Sequence, residues 1–126
     1  MTNRTILLIE DDTSLLETIL EILTLEGFEV LTALDGQHGL KIAEEQSPGI
    51  IVSDVMMPRM NGHEMLSALR KSPRTAKIPV ILITAYSDYK QIPTMQQDLG
   101  ADVVIKPFNP AELLAIIEQR LHIQVG

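Results

Sequence analysis

The sequence contains no cysteine. That excludes disulfides, thiol catalysis and zinc or iron–sulfur centres held by thiolates. Basic residues are scarce: 10 Lys and Arg stand against 17 Asp and Glu, a net charge of −7. A nucleic-acid-binding domain presents a basic face, and this balance argues against one. The same deficit argues against docking on an anionic membrane surface. Long apolar runs are missing too. The first, Ile6–Ile9, ends at three consecutive acids and is too short for a signal peptide or a membrane span. The expected compartment is the cytoplasm. No internal repeat, low-complexity tract or linker interrupts the chain, and 126 residues suit a single domain, 1–126, with one core.

What is present alternates between two textures. Short runs of β-branched and apolar residues occur at Ile6–Ile9, Val30–Leu34, Ile50–Ser53, Val80–Thr84 and Val103–Ile105. Apolar at successive positions, they read as strands covered on both faces, as in a parallel sheet. Between them lie segments with helical spacing. Leu15, Leu16, Ile19, Leu20 and Leu23 mark the first, with Thr13 as candidate N-cap and Gly27 as the stop. Gly36–Glu45, His63–Lys71 and Pro110–His122 follow, the last opening on a proline suited to a first turn. Pro93 breaks the segment 86–99, so a long loop after Thr84 and a short helix from near Pro93 are expected. Five βα units in a row predict an α/β, doubly wound parallel sheet with helices on both faces. In such sheets ligands sit beyond the carboxyl ends of the strands.

Those ends carry the chemistry. The first run closes on Glu10, Asp11 and Asp12, the third on Asp54, the fourth on Thr84 and the fifth on Lys106. Two carboxylates about 6 Å apart repel by roughly 3 kcal/mol at an effective dielectric of about 20. A cluster of that kind needs cations. Lys106 supplies one, and an all-oxygen donor set suits Mg²⁺ or Mn²⁺ for the rest. The plainer alternative, that Asp11 and Asp12 only cap the first helix, weighs evenly for Asp12 and less for Asp11. An aspartate beside a divalent ion, a lysine and a hydroxyl can attack phosphorus and hold the phosphoryl group as an acyl phosphate. On this reading Asp54 is an exposed nucleophile on a rigid support, with Lys106 and Thr84 stabilising the phosphoryl oxygens.

The set Glu10–Asp11, Asp54 with Met56–Met57–Pro58 and Asn61–Gly62, Thr84–Ala85 and Lys106–Pro107–Phe108 resembles a response-regulator receiver domain of two-component signalling, similar to the single-domain chemotaxis regulators. The resemblance runs from the first strand to the last helix. It implies a flavodoxin-like fold with strand order 2-1-3-4-5. It implies that Asp54 is the phosphoacceptor, charged by the phosphohistidine of a sensor kinase or phosphotransfer protein. Mg²⁺ would be held by Asp11, Asp54, the backbone carbonyl of Met56 and Glu10, the last directly or through water. Thr84 would be the switch hydroxyl, Lys106 would pair with the phosphoryl or carboxylate oxygens, and the Lys106–Pro107 bond would be cis. Such domains are not enzymes in the ordinary sense, although they catalyse their own phosphorylation and dephosphorylation. With no helix-turn-helix, kinase or cyclase segment present, output is expected through binding a downstream protein, without direct nucleic-acid or membrane contact.

Two features depart from the family pattern. Most members carry Tyr or Phe three residues before the lysine, where this chain has Val103. The expectation is that phosphorylation occurs while the usual threonine–aromatic coupling is altered or absent. The stretch Gly100–Lys106 is one residue short, offset by an extra residue before Gly100, which places an irregularity around Tyr86–Asp98. His38, His63 and His122 lack any partner at ligand spacing and read as surface residues. Met56, Met57, Met60 and Met65 read as packing for the turn and the next helix. Arg59 reads as a solvated side chain, and Gly36 and Gly39 form no phosphate loop. Rival readings are a Mg²⁺-dependent phosphatase with an aspartyl nucleophile, a flavin module of the same topology, and a receiver-like module that signals without phosphorylation. The first usually needs a second aspartate where Met56 stands. The second would set Glu10–Asp11–Asp12 against a phosphate. The third lacks one or more of the acid, threonine and lysine set retained here.

Overall fold

A computed structural model describes residues 3–85 and 92–125, the last three by backbone alone. Strands β1 (Thr5–Ile9), β2 (Glu29–Ala33), β3 (Ile50–Asp54), β4 (Val80–Thr84) and β5 (Asp102–Ile105) form one parallel sheet in the order 2-1-3-4-5. The order implied by the resemblance is therefore the observed one. The continuous apolar runs have a direct explanation in the two faces. Leu7, Ile9, Ile51, Val80 and Leu82 point to one side, among Met65, Leu66 and Leu69. Ile6, Leu8, Ile50, Val52, Ile81 and Ile83 point to the other, among Ile19, Leu23, Leu113 and Ile117. Neighbouring side chains on one strand thus bury into opposite layers, each contributing about 2 kcal/mol.

Helices α1 (Thr13–Leu25) and α4 (Pro110–Val125) cover the second side; α2 (Gly36–Gln46) and α3 (Gly62–Lys71) cover the first. The N-cap of α1 is Asp12, not Thr13: its carboxylate accepts from Ser14 N at 3.0 Å and Leu15 N at 3.2 Å. A carboxylate at this position reaches two orphan N–H groups and also complements the helix dipole. Gly27, at φ +91°, ends the turn after α1 in the left-handed region that glycine tolerates. Asn61 opens α3 through a reciprocal box with Glu64, at 2.8 and 3.1 Å.

The expected loop after Thr84 lies mostly in 86–91, outside the described residues. In the described part, Thr94–Asp98 winds as a π-helix just after Pro93, closed by Leu99 N donating to Thr94 O at 3.2 Å. A π turn holds one residue more than it would with α-type hydrogen bonding, so this part of the 86–98 stretch is irregular as expected. The other strand and helix ends fall within one to three residues of those read from the sequence.

Candidate functional site

Because β1 and β3 are adjacent and parallel, with Ile9 opposite Ser53, the residues that follow emerge side by side. Glu10 and Asp54 thereby meet beyond the sheet, and Asp11 joins them. Carboxylate oxygens of these three residues lie within 4.8 Å of one another. On the far side of β3, Asp54 is in register with Ile83, and Thr84 with Ile105. Lys106 N donates to Thr84 O at 2.8 Å, which fixes the lysine backbone at the same edge. Its ammonium Nζ then reaches Asp54 Oδ2 at 2.9 Å.

The second oxygen of Asp54, Oδ1, accepts from Met56 N at 3.2 Å. Both ends of the carboxylate are held, so its orientation is set before any ligand arrives. The exposed nucleophile expected from the sequence is in fact recessed: only 7% of the Asp54 side chain is exposed, and Lys106 covers one side. Ser53, which the sequence did not single out, and Gly62 explain the rigidity beneath it. The hydroxyl of buried Ser53 donates to Asp54 O at 2.9 Å. Gly62 packs so closely that a Cβ there would sit 2.7 Å from Asp54 O and 2.8 Å from the Val55 Cα. The Asn-Gly pair was visible in the sequence, but not the close approach that demands it.

The electrostatics are those of a cluster short of positive charge. Glu10 is 1% exposed. Burial, together with the facing charge of Asp54, pushes its carboxyl up to about 8, although the Asp12 N–H donates to it and acts in the opposite direction. Asp11, by contrast, is exposed. Three converging carboxyl groups against one ammonium fit a hard divalent cation, which prefers oxygen donors. Thr84 is fully buried at the end of β4, its hydroxyl 3.4 Å from Ala85 O.

This arrangement accompanies a match to the family model described as response regulator receiver domain, over residues 6–118. The chain belongs to the response-regulator receiver family. As a receiver domain it is a part of two-component signal transduction, and such domains interact with histidine kinases and downstream effectors. Among curated relatives it is 39% identical over 118 residues to a probable transcriptional regulator ycf27 of Cyanophora paradoxa, covering 93% of this chain and 48% of that protein. It is 40% identical to a probable transcriptional regulator ycf29 of Pyropia yezoensis, covering 89% and 50%. The chain therefore spans about half the length of the curated relatives it matches. Among solved structures, chemotaxis response regulator CheY4 of Vibrio cholerae superposes with a TM-score of 0.84 at 32% identity, covering 95% of this chain and 100% of that one. A receiver domain of a signal transduction histidine kinase from Syntrophus aciditrophicus gives 0.85 at 29%, covering 94% and 89%.

The remaining residues weighed in the sequence sort as follows. The Lys106–Pro107 peptide is cis. His38 and His122 are exposed and His63 is half-buried. Met57 and Met65 are buried and Met60 is partly so, packed against the same core. Met56 departs from the packing role read for it, with 62% of the residue exposed, because its backbone faces the acidic pocket. Arg59 is exposed and sits at φ +69°, a strained turn position not evident beforehand. Val103 is half-buried against the α3-side core. No helix among the described residues is long and apolar enough to cross a membrane.

Proposed function

We propose that this receiver domain takes a phosphoryl group from the phosphohistidine of a sensor kinase or phosphotransfer protein onto Asp54, in a Mg²⁺-dependent reaction. The observation that carries this reading is the carboxylate of Asp54, pinned through Oδ2 to Lys106 and through Oδ1 to Met56 N, with Glu10 and Asp11 alongside. Attack by an Asp54 oxygen forms the P–O bond as the P–N bond of the phosphohistidine breaks, and the leaving imidazole keeps the electron pair. The fixed carboxylate loses no orientational freedom at that moment. Lys106 would stabilise negative charge on the phosphoryl oxygens, and Thr84 would donate to one of them.

Glu10, Asp11, Asp54 and the carbonyl of Met56 would hold Mg²⁺, or Mn²⁺. The bound ion supplies Lewis-acid stabilisation of the phosphoryl oxygens and offsets the carboxylate charge. Met56 occupies the position where an aspartyl phosphatase usually carries its general acid. A thioether has no proton to give, which supports an acceptor with slow self-dephosphorylation over a turnover enzyme. Val103 is too short to move between surface and core with the reach of an aromatic ring. The switch in protein–protein contacts would therefore run without the usual threonine–aromatic coupling. Comparing the exposed face of β5 by NMR, free and phosphorylated, checks this, and a full shift there would refute it.

The test of acceptor chemistry is incubation with Mg²⁺ and acetyl phosphate, read by intact mass. One phosphoryl group is expected on the wild type and none on Asp54→Asn. Steady phosphate release from many substrates would overturn the reading in favour of a phosphatase.

A further inference from the structure

The other end of the sheet carries the opposite charge. From Met65 to Ala85 the sequence contains no acidic residue, yet it holds Arg70, Lys71, Arg74 and Lys77. A cavity of about 540 Å³ opens there between the end of α3, the start of β5 and α4, with Arg70, Lys77, Arg120 and Asp102 around a floor that includes Ala101. Its size lies within the range of small-molecule sites. Three cations and one carboxylate line it, a surplus of two positive charges in a protein of net charge −7.

The cations are not equivalent. Asp102 neutralises Arg120 through two bonds, Nε to Oδ2 at 2.6 Å and Nη2 to Oδ1 at 2.8 Å. Arg70 is half-buried and has no carboxylate partner among the described residues. Its Nε donates to Leu99 O at 2.7 Å, and its Nη1 to Ile78 O at 2.8 Å and Ala76 O at 3.3 Å. These bonds fix the plane of the guanidinium and leave Nη2 with no hydrogen bond among the described residues. Burial pushes the Arg70 pKa down from its ordinary value, the sign of a charge lacking compensation. Lys77 is exposed and makes no hydrogen bond or ion pair among the described residues. A second cavity of about 220 Å³, reached by Arg74, adjoins the first across Lys77, Ile78 and Pro79.

We propose that this cavity, at the amino end of the sheet, binds a small organic or inorganic dianion carrying phosphate or carboxylate groups. The Nη2 of the pre-oriented Arg70 guanidinium donates to one anionic group, and the ammonium of Lys77 donates to the other. Among the described residues no aromatic side chain lines the cavity, so the recognised part is the anionic group and not a stacked base.

The experiment is an amide-resolved NMR titration of the whole chain in EDTA, at constant ionic strength, with inorganic pyrophosphate and separately with succinate. EDTA keeps the acidic pocket from recruiting phosphate through a metal. Saturable shifts at Ala76–Ile78 and Gly100–Asp102 are expected, weakened about tenfold or more in Lys77→Glu. That variant keeps the fold, since Lys77 makes no bond to lose. Saturation by pyrophosphate alone assigns a phosphate ligand, and saturation by both assigns any dianion of this size. Shifts that are linear and equal to those from matched chloride, or unchanged in Lys77→Glu, or confined to Asp54 and Lys106, overturn the proposal.

Discussion

The two ends of the sheet use opposite strategies for a buried charge. At the carboxyl end Glu10, Asp11 and Asp54 converge with one ammonium among them, and the strain of that convergence is carried by the Glu10 carboxyl. At the amino end Arg70 lies half-buried and is satisfied by three backbone carbonyls instead of a counter-ion. The first arrangement is short of positive charge, which suits the cation and phosphoryl group proposed for it. The second already stabilises the fold, because the same bonds tie the α3–β4 turn to the entry of β5. At the carboxyl end carboxylates crowd a single ammonium, while at the amino end backbone dipoles hold Arg70 in place and leave its Nη2 for the anion proposed above.

Removing Lys106 should separate the two most sharply. Lys106→Ala is expected to slow phosphoryl transfer to Asp54 by roughly a hundredfold, measured with acetyl phosphate and Mg²⁺. Arg70→Ala should leave that rate within the spread of the wild type.

The pH dependence of stability is the next largest effect. The folded Glu10 carboxyl titrates near 8 against 4.5 when unfolded, so the folded state holds the proton more tightly. Its stabilising contribution is full below pH 4.5 and is lost as pH rises towards 8, at no more than about 1.4 kcal/mol per unit. Denaturant titrations in EDTA should show this decline, and Glu10→Gln should flatten it. Adding Mg²⁺ should raise stability most at the high-pH end, where all three carboxylates are charged.

Gly62→Ala places a methyl group against Asp54 O and the Val55 Cα, atoms that do not yield. A loss of about 1–3 kcal/mol is expected, together with slower phosphorylation as the carboxylate is displaced. Arg70→Ala leaves carbonyls of Ala76, Ile78 and Leu99 without their donor, for a loss of about 2 kcal/mol that Mg²⁺ does not alter. Equal sensitivity of both variants to Mg²⁺ would erase the distinction between the two ends.

Much of the carboxyl end was legible in the sequence, and almost none of the amino end. Strands apolar on both faces announce a parallel sheet, and a parallel sheet delivers its strand ends to one edge, so Glu10, Asp11, Asp54, Thr84 and Lys106 could be grouped without coordinates. The recessed setting of Asp54 was not readable, because it depends on Lys106 folding back from β5 and on the turn at Met56. The sequence leaves both Asp12 and Thr13 as candidate caps of α1, since aspartate and threonine both cap and only the geometry selects Asp12. Arg70 carried no signal, because its partners are backbone carbonyls 6, 8 and 29 residues away, and carbonyls have no sequence code. The capping box of Asn61 and Glu64 has a readable spacing in the sequence, with Glu three residues after Asn.

The central claim is that the oriented Asp54 carboxylate is the acceptor. After reaction with acetyl phosphate and Mg²⁺, borohydride reduces an acyl phosphate to the alcohol, converting a phosphorylated aspartate to homoserine. Peptide sequencing by mass spectrometry should then find homoserine at position 54 and aspartate elsewhere. Homoserine at Asp11 or Asp12, or a phosphoryl group surviving borohydride on a threonine or histidine, would contradict the account.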